Sequence, residues 1–337
     1  MMNKSKIDWT DFTWNPVTGC PRGCYYCYAA KQARRFCGDI RLNKSSPQIT
    51  RTAPDAKTYI LEQPFRNDAG RVIPFPAGFA LTLHRYRLPM PAQKKKPANI
   101  FVCSMGDLFA PQIPTRWIVD VFDACAAAPW HTYLFLTKYP ERYRELEQVA
   151  LLPHAENFWY GTTITRQADT YRLADLPAPP LHRFASVEPL LEAVNMAEAS
   201  DTPPIDWLIV GAETGNQKGK HAPSRAWLEA LQTWANTNGV PVLFKESAEL
   251  YEAWGSPIPQ QFPEGITLNE PDVIPHCDAC ELCYTVDQGK RGKAYFCVNA
   301  WADEGQPDRG DRHIPGRYTR TSPPWCPRRK EGWDHED

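Results

Sequence analysis

Cys20-Pro21-Arg22-Gly23-Cys24-Tyr25-Tyr26-Cys27 is the stretch that decides how the rest of the chain is read. Three thiols fall within eight residues at C-x3-C-x2-C spacing, and an aromatic, Tyr26, precedes the last. A closed zinc site takes four ligands, and so does a fully ligated four-iron cluster. Three thiolates on such a cluster leave one iron open to hold something else. The other readings are zinc completed by Cys37 or by a His elsewhere, or three buried thiols.

Outward from that stretch, the bulk properties narrow the class. A chain of 337 residues suffices for one large α/β domain with an appendix, or for two domains. The formal net charge of −1 gives no global basic field, so any nucleic-acid contact must come from local patches. Thirty-three prolines point to long ordered loops. The first fourteen residues carry Lys4, Lys6, Asp8 and Asp11 and have no apolar core of the secretory kind. The longest apolar run, 118–128, is broken by Asp120 and Asp123 and falls short of the roughly 20 residues of a membrane span. Eleven cysteines in such a chain suit a reducing cytoplasm and metal-bound thiols better than disulfides, with no membrane partner.

Downstream, β-prone apolar runs alternate with helical ones. Residues 25–36, from within the thiol stretch onward, have helical composition. Ile100-Phe101-Val102-Cys103 reads as a buried strand ending in Ser104-Met105-Gly106-Asp107. Pro114 opens a helix with Trp117, Ile118, Val121, Phe122 and Cys125 on one face. Strand 132–136 ends in Thr137-Lys138, and Pro140 opens a helix with Tyr143, Leu146 and Val149 inward. Further strands end at Thr163, Glu188, Glu213 and Lys245, and Gly239 is placed to stop the helix before the last one. Strand, polar tip and helix, repeated about six times, predict parallel βα units with the site at the carboxyl ends of the strands. Ser104 and Thr137 also read as caps or turns. Residues 38–97 read as a loop-rich insertion closed by Lys94-Lys95-Lys96, a solvated loop or a phosphate contact.

With these residues in view, the thiol motif resembles the signature of radical S-adenosylmethionine (AdoMet) enzymes. The fuller string Thr13-Trp14-Asn15-Pro16-Val17-Thr18-Gly19-Cys20, with Cys27-Tyr28-Ala29, is similar to a phage-associated branch of that superfamily. So, in order, are 104–109, 136–138, 186–191 and 210–215. The resemblance covers about residues 5–250. It implies a partial (β/α)6-type barrel, a [4Fe–4S] cluster on Cys20, Cys24 and Cys27, and AdoMet on the open iron. Tyr26 is then expected against the adenine, and Ser104, Met105, Gly106 and Asp107 at the AdoMet amino group. Thr137 and Thr163 are expected to line the cofactor. Lys138, Glu188, Glu213 and Lys245 are expected to face AdoMet or substrate and to move protons. The implied partners are DNA carrying a modified thymine and a one-electron reductant protein, in the host cytoplasm.

The branch includes radical AdoMet isomerases of phage thymidine hypermodification, which convert an N-linked glycinyl group on the thymine methylene to the Cα-linked form. Two other functions stay open. One is repair of a thymine lesion, since the motif of spore photoproduct lyase is similar. The other is a zinc-bound nucleic-acid-binding module without catalysis.

Past residue 250 the composition changes. Pro257, Pro259, Pro263 and Gly265 read as a linker to an 87-residue region, 251–337. Cys277, Cys280 and Cys283, with Cys297 and Cys326, read as a second metal site, either iron–sulfur or zinc. Basic and aromatic residues interleave from Gly289 onward, which suits a nucleic-acid strand.

Overall fold

The apolar runs become strands whose side chains alternate between two buried faces, and that alternation shapes the sheet. The computed structural model describes residues 2–53, 55–198, 205–213, 221–269, 283–287, 293–297 and 312–314. The chain divides into two units, Met1–Leu268 and Asn269–Asp337.

The strands of the first unit are β1 (Asn3–Lys4), β2 (Phe12–Trp14), β3 (Val17–Thr18), β4 (Thr50–Arg51), β5 (Thr58–Leu61), β6 (Leu81–His84), β7 (Asn99–Val102), β8 (Thr132–Thr137), β9 (Phe158–Ile164), β10 (His182–Val187), β11 (Trp207–Val210) and β12 (Val242–Phe244). The main sheet has the order β1-β2-β7-β8-β9-β10-β11-β12. All neighbours from β2 to β12 are parallel, and β1 is an antiparallel edge on β2. Spatial order follows chain order, so every crossover steps one way across the sheet and the carboxyl ends of β2 and β7 to β12 lie along one edge.

The helices cover one face. Trp117, Ile118, Val121, Phe122 and Cys125 of α4 (Thr115–Ala126), with Tyr143 and Leu146 of α5 (Glu141–Gln148), are buried against Ile100, Tyr133, Phe135, Phe158 and Tyr160. Leu228, Leu231 and Ala235 of α6 (Arg225–Asn238) pack in the same cluster as Leu208, Val210, Val242 and Phe244. Gly239 ends α6 at φ 66°, the left-handed turn the sequence anticipates. Val149, expected inward, is instead 61% exposed, because α5 ends at Gln148 and its last turn leaves the sheet.

The other face curls. Phe101, Leu134, Trp159, Phe184, Trp207, Ile209 and Leu243 form a second buried cluster around Trp9 and Ile266. The Trp9 ring lies 4.8 Å from Phe101 on β7 and 6.0 Å from Phe184 on β10. Those strands are three spacings apart, about 14 Å in a flat sheet, so one indole can reach both only if the sheet bends around it. Asp8, just before β2, accepts a hydrogen bond from the Glu246 backbone N just beyond β12, at 2.5 Å.

The residues read as a linker run along the last strand. Phe244 N donates to Pro259 O, and Gln261 N donates to Val242 O. Asn99 Nδ2 donates to Thr267 O, which ties the segment back to the start of β7. Residues 256–267 therefore strap the amino end of the curled sheet.

The insertion sets short elements among its loops. It carries a second sheet of order β3-β6-β5-β4 with its own core of Ile49, Tyr59, Leu61, Phe65 and Ala77. Its strands, two to four residues each, are too short for periodicity to reveal. Lys94 lies over the Phe12 ring and Lys95 over the Trp130 ring, at 4.3 and 5.5 Å. Both precede β7, at the amino end of the sheet, so the lysine triplet is remote from the strand tips.

In the second unit, β13 (Cys283–Asp287), β14 (Lys293–Cys297) and β15 (Arg312–Ile314) form an antiparallel sheet, in which Cys283 stands directly opposite Cys297. Cys277, Cys280 and Cys326 lie outside the described residues. Among the described residues no helix is long and apolar enough to cross a membrane.

Candidate active site at the carboxyl edge

Three segments meet at the carboxyl ends of β2, β7 and β8. The loop 19–27 leaves β3 and enters α1 (Tyr28–Arg35), whose N-cap is Cys27: its Sγ accepts from Ala30 N at 3.3 Å. The loop docks on the tip of β7. Gly19 N donates to Met105 O, and Asp107 N donates to Gly19 O. The fit is tight enough that a Cβ on Gly106 would lie 2.7 Å from Gly19 O. Asn15 locks the same junction, its Oδ1 accepting from Met105 N at 2.7 Å and from Ser104 Oγ at 3.3 Å.

Asp107 joins β7 to β8. It is 6% exposed and accepts from Thr137 Oγ1 (2.6 Å), Lys138 N (3.1 Å) and Phe109 N (3.1 Å). Burial raises its carboxyl above the ordinary range. Burial and the nearby Asp107 push the Cys20 thiol up to about 12, with Cys24 and Cys27 adding to the rise. The Thr137 hydroxyl bridges Asp107 and Tyr139 N.

Each tyrosine of the motif reaches a different strand tip. Tyr28 donates to Ser104 O at 2.5 Å, beyond β7, and has Glu188 nearby. Tyr26 meets Thr165 beyond β9, and the Lys138 ammonium lies 5.7 Å over its ring. Tyr25 approaches Glu213, beyond β11. Arg22 donates to Lys138 O at 3.1 Å and stacks 5.0 Å over Tyr139. The loop therefore spans the edge from β7 to β11. Of these groups only Tyr26 is singled out by the motif. Tyr25, Tyr28, Arg22, Asn15 and Thr165 carry no pattern that marks them in advance.

The remaining tips form two further groups. Glu188 and Lys245 pair at 2.5 Å, with side chains 26% and 20% exposed. Burial works against the Lys245 charge, but Glu188 outweighs it and holds the ammonium above its ordinary value. The Glu188 side chain lies across Gly211, where a Cβ would come within 2.8 Å of it. Glu213, 1% exposed, accepts from His221 Nδ1 at 2.9 Å, and its Oε1 has no partner among the described residues. Thr163 is buried, and its carbonyl accepts from Arg172 at 2.7 Å. Burial pulls the Lys138 ammonium below its ordinary value.

Cys20, Cys24 and Cys27 are free thiols, partly exposed. Among the described residues no three His, Cys, Asp or Glu side chains converge as the ligands of one ion do. A cluster differs from a single ion here, because each corner iron takes its own thiolate and the ligands surround the group rather than meet at a point. The donor set, three soft thiols on one loop, fits an iron–sulfur cluster. Cys37 is no fourth ligand: it is buried beyond the far end of α1, its thiol donating to Arg34 O.

The model of a family described as "Protein of unknown function (DUF5131)" matches residues 4–260. The chain belongs to that family. The DUF5131 match covers β2 to β12 of the first unit, with the insertion and the thiol loop, and ends within the strap. No curated protein matches. Among solved structures, a point mutant of spore photoproduct lyase aligns at 8% identity and TM-score 0.45, over 72% of this chain and 78% of that one. A double mutant of the same lyase, "with bound AdoMet and dinucleoside spore photoproduct", aligns at 8% identity and TM-score 0.41, over 91% and 74%.

Proposed function

We propose that the protein is a radical AdoMet enzyme acting on a base of DNA, with Cys20, Cys24 and Cys27 as the thiolates of a [4Fe–4S] cluster. One observation carries the reading. A C-x3-C-x2-C loop is docked on the carboxyl edge of a parallel sheet whose strands run in chain order, and its three tyrosines meet three strand tips. In this reading the curled parallel sheet serves as the partial barrel such chemistry uses.

The bound cluster and AdoMet supply a 5′-deoxyadenosyl radical for hydrogen abstraction. The chain's own residues have distinct tasks. Asp107, Asn15 and the 104–106 backbone fix the thiol loop. Tyr26, held between Thr165 and Lys138, offers a ring face to the adenine. The Lys245–Glu188 pair is a donor and acceptor able to move a proton at the substrate. Glu213 Oε1 is an acceptor left open toward a hydroxyl or amino group. Cys283 and Cys297, together with Cys277, Cys280 and Cys326, form a second metal site, iron–sulfur or zinc. The reaction we favour is isomerisation of an N-linked glycinyl-thymidine to the Cα-linked form, with lesion repair as the second reading.

The test is anaerobic incubation with AdoMet, a reductant and DNA carrying the modified thymine, followed by nucleoside mass spectrometry. A SAM-dependent isomer peak is expected from the wild type and not from Cys24→Ala. Formation of unmodified thymine from irradiated DNA, with no isomer, selects the lyase. No iron, and no 5′-deoxyadenosine, in protein isolated without oxygen overturns both.

A further inference from the structure

The inserted sheet carries a hollow that the thiol site does not use. It is a solvent-open depression of about 410 Å3, lined by Lys44, Arg51, Asp55, Lys57 and Tyr59. That volume lies in the range of small-molecule sites, about 300–1,000 Å3. Three cations and one carboxylate face it, in a chain whose formal net charge is −1. The positive charge is therefore local, as a phosphate site requires.

Tyr59 organises the hollow. Its ring is buried, 4% exposed, and lies on β5. The Lys44 ammonium stands 4.9 Å over the ring, and the Arg51 guanidinium 5.7 Å. Arg51 also donates to the Tyr59 hydroxyl, at 3.5 Å. Cations seated on a ring lose less side-chain freedom on meeting an anion than free surface lysines do. With the ring buried and two cations over it, Tyr59 offers no open face for a base to stack on. A phosphate with its sugar fits the charge and the volume.

The hollow is joined to the thiol loop by the sheet itself. Arg51 is on β4, three strand spacings from β3, or about 14 Å. β3 runs through Gly19 directly into Cys20. We propose that this hollow binds a backbone phosphate of a nucleic-acid strand whose target base lies at the thiol loop. The proposal rests on the nucleic-acid reading above and names the insertion as the part that grips the strand.

The test is fluorescence anisotropy with a labelled single-stranded oligonucleotide and the full chain, across a salt series, without AdoMet or reductant. Each lost phosphate contact lowers the slope of log K against log salt by about 0.7, which is roughly 8-fold in affinity at 50 mM salt. Lys44→Gln/Lys57→Gln, which removes two of the three cations at the hollow, is expected to lower the slope by about 0.7, the value for one phosphate. Asp55→Asn is expected to bind more tightly, an effect that misfolding cannot imitate. Lys96→Gln, the same loss of charge at an exposed residue remote from the strand tips, is expected to bind as the wild type does, so the effect is specific to the hollow. Equal affinity and slope in the wild type and the double variant overturn the proposal. So does calorimetric binding of inorganic phosphate without oligonucleotide binding, which makes the hollow a site for the free ion.

Discussion

Asp169→Asn probes how the tip of β9 is held beneath the thiol loop. Asp169 Oδ2 accepts from Thr165 N at 2.9 Å and from Thr165 Oγ1 at 2.7 Å, while Oδ1 pairs with Arg172 at 2.5 Å. Arg172 is buried, with a side chain 4% exposed, and spends another donor on Thr163 O. The substitution keeps the shape, removes the charge and turns an amide toward a buried guanidinium. Breaking one side of such a pair costs about 3–5 kcal/mol, and the 16% exposure of Asp169 puts the expectation at the low end, about 3 kcal/mol. Burial acts against the Asp169 charge, but Thr165 and Arg172 outweigh it and hold the carboxyl below its ordinary value of 3.8. The group therefore stabilises the fold fully above pH 3.8 and loses that contribution as pH falls through the folded value. Urea unfolding followed by circular dichroism should show a lower midpoint for the variant at pH 7, with the gap narrowing toward pH 3. Asp169→Asn/Arg172→Met should regain most of the loss. Equal midpoints for wild type and Asp169→Asn at pH 7, or a gap that stays constant with pH, would refute the reasoning.

Other expectations follow from the same geometry. Gly106→Ala forces a Cβ to 2.7 Å from Gly19 O, so it should lower stability by about 1–3 kcal/mol in thermal or urea melts and loosen the thiol loop. Gly161→Ala meets the Phe184 ring at 2.4 Å and should be at least as damaging, with loss of soluble expression as the readout. Asp107→Asn removes a carboxylate that raises the Cys20 thiol, so in iron-free protein Cys20 should be alkylated faster at pH 8, as counted by peptide mass spectrometry. Lys245→Met leaves Glu188 without its cation and should cut turnover by tenfold or more while iron content stays at the wild-type level.

The main sheet was legible because its strands are buried on both faces and end in polar tips. Phe101, Val102 and their counterparts need no long-range knowledge to be read as strand. The thiol loop was legible for a different reason: three cysteines at fixed spacing have few uses. What the chain order does not reveal is which tips approach each other. Lys138 and Tyr26 are over a hundred residues apart, and their contact follows from the docking of Gly19 on Gly106. The small sheet within the insertion left no mark because two-residue strands such as Thr50–Arg51 carry no period. Trp9 looked like an unremarkable entry residue, yet it is the pivot of the curl, since its role lies in neighbours from β7, β10 and β11.

The strap over the amino end has a consequence for the order of folding. Trp9, Phe262 and Ile266 pack in one buried cluster, and Trp207 Nε1 donates to Gln261 O. The curled face is thus closed by the two ends of its own unit. A contact so distant along the chain costs loop-closure entropy and forms late, so this cluster completes only after residues 261–267 have returned to Trp9.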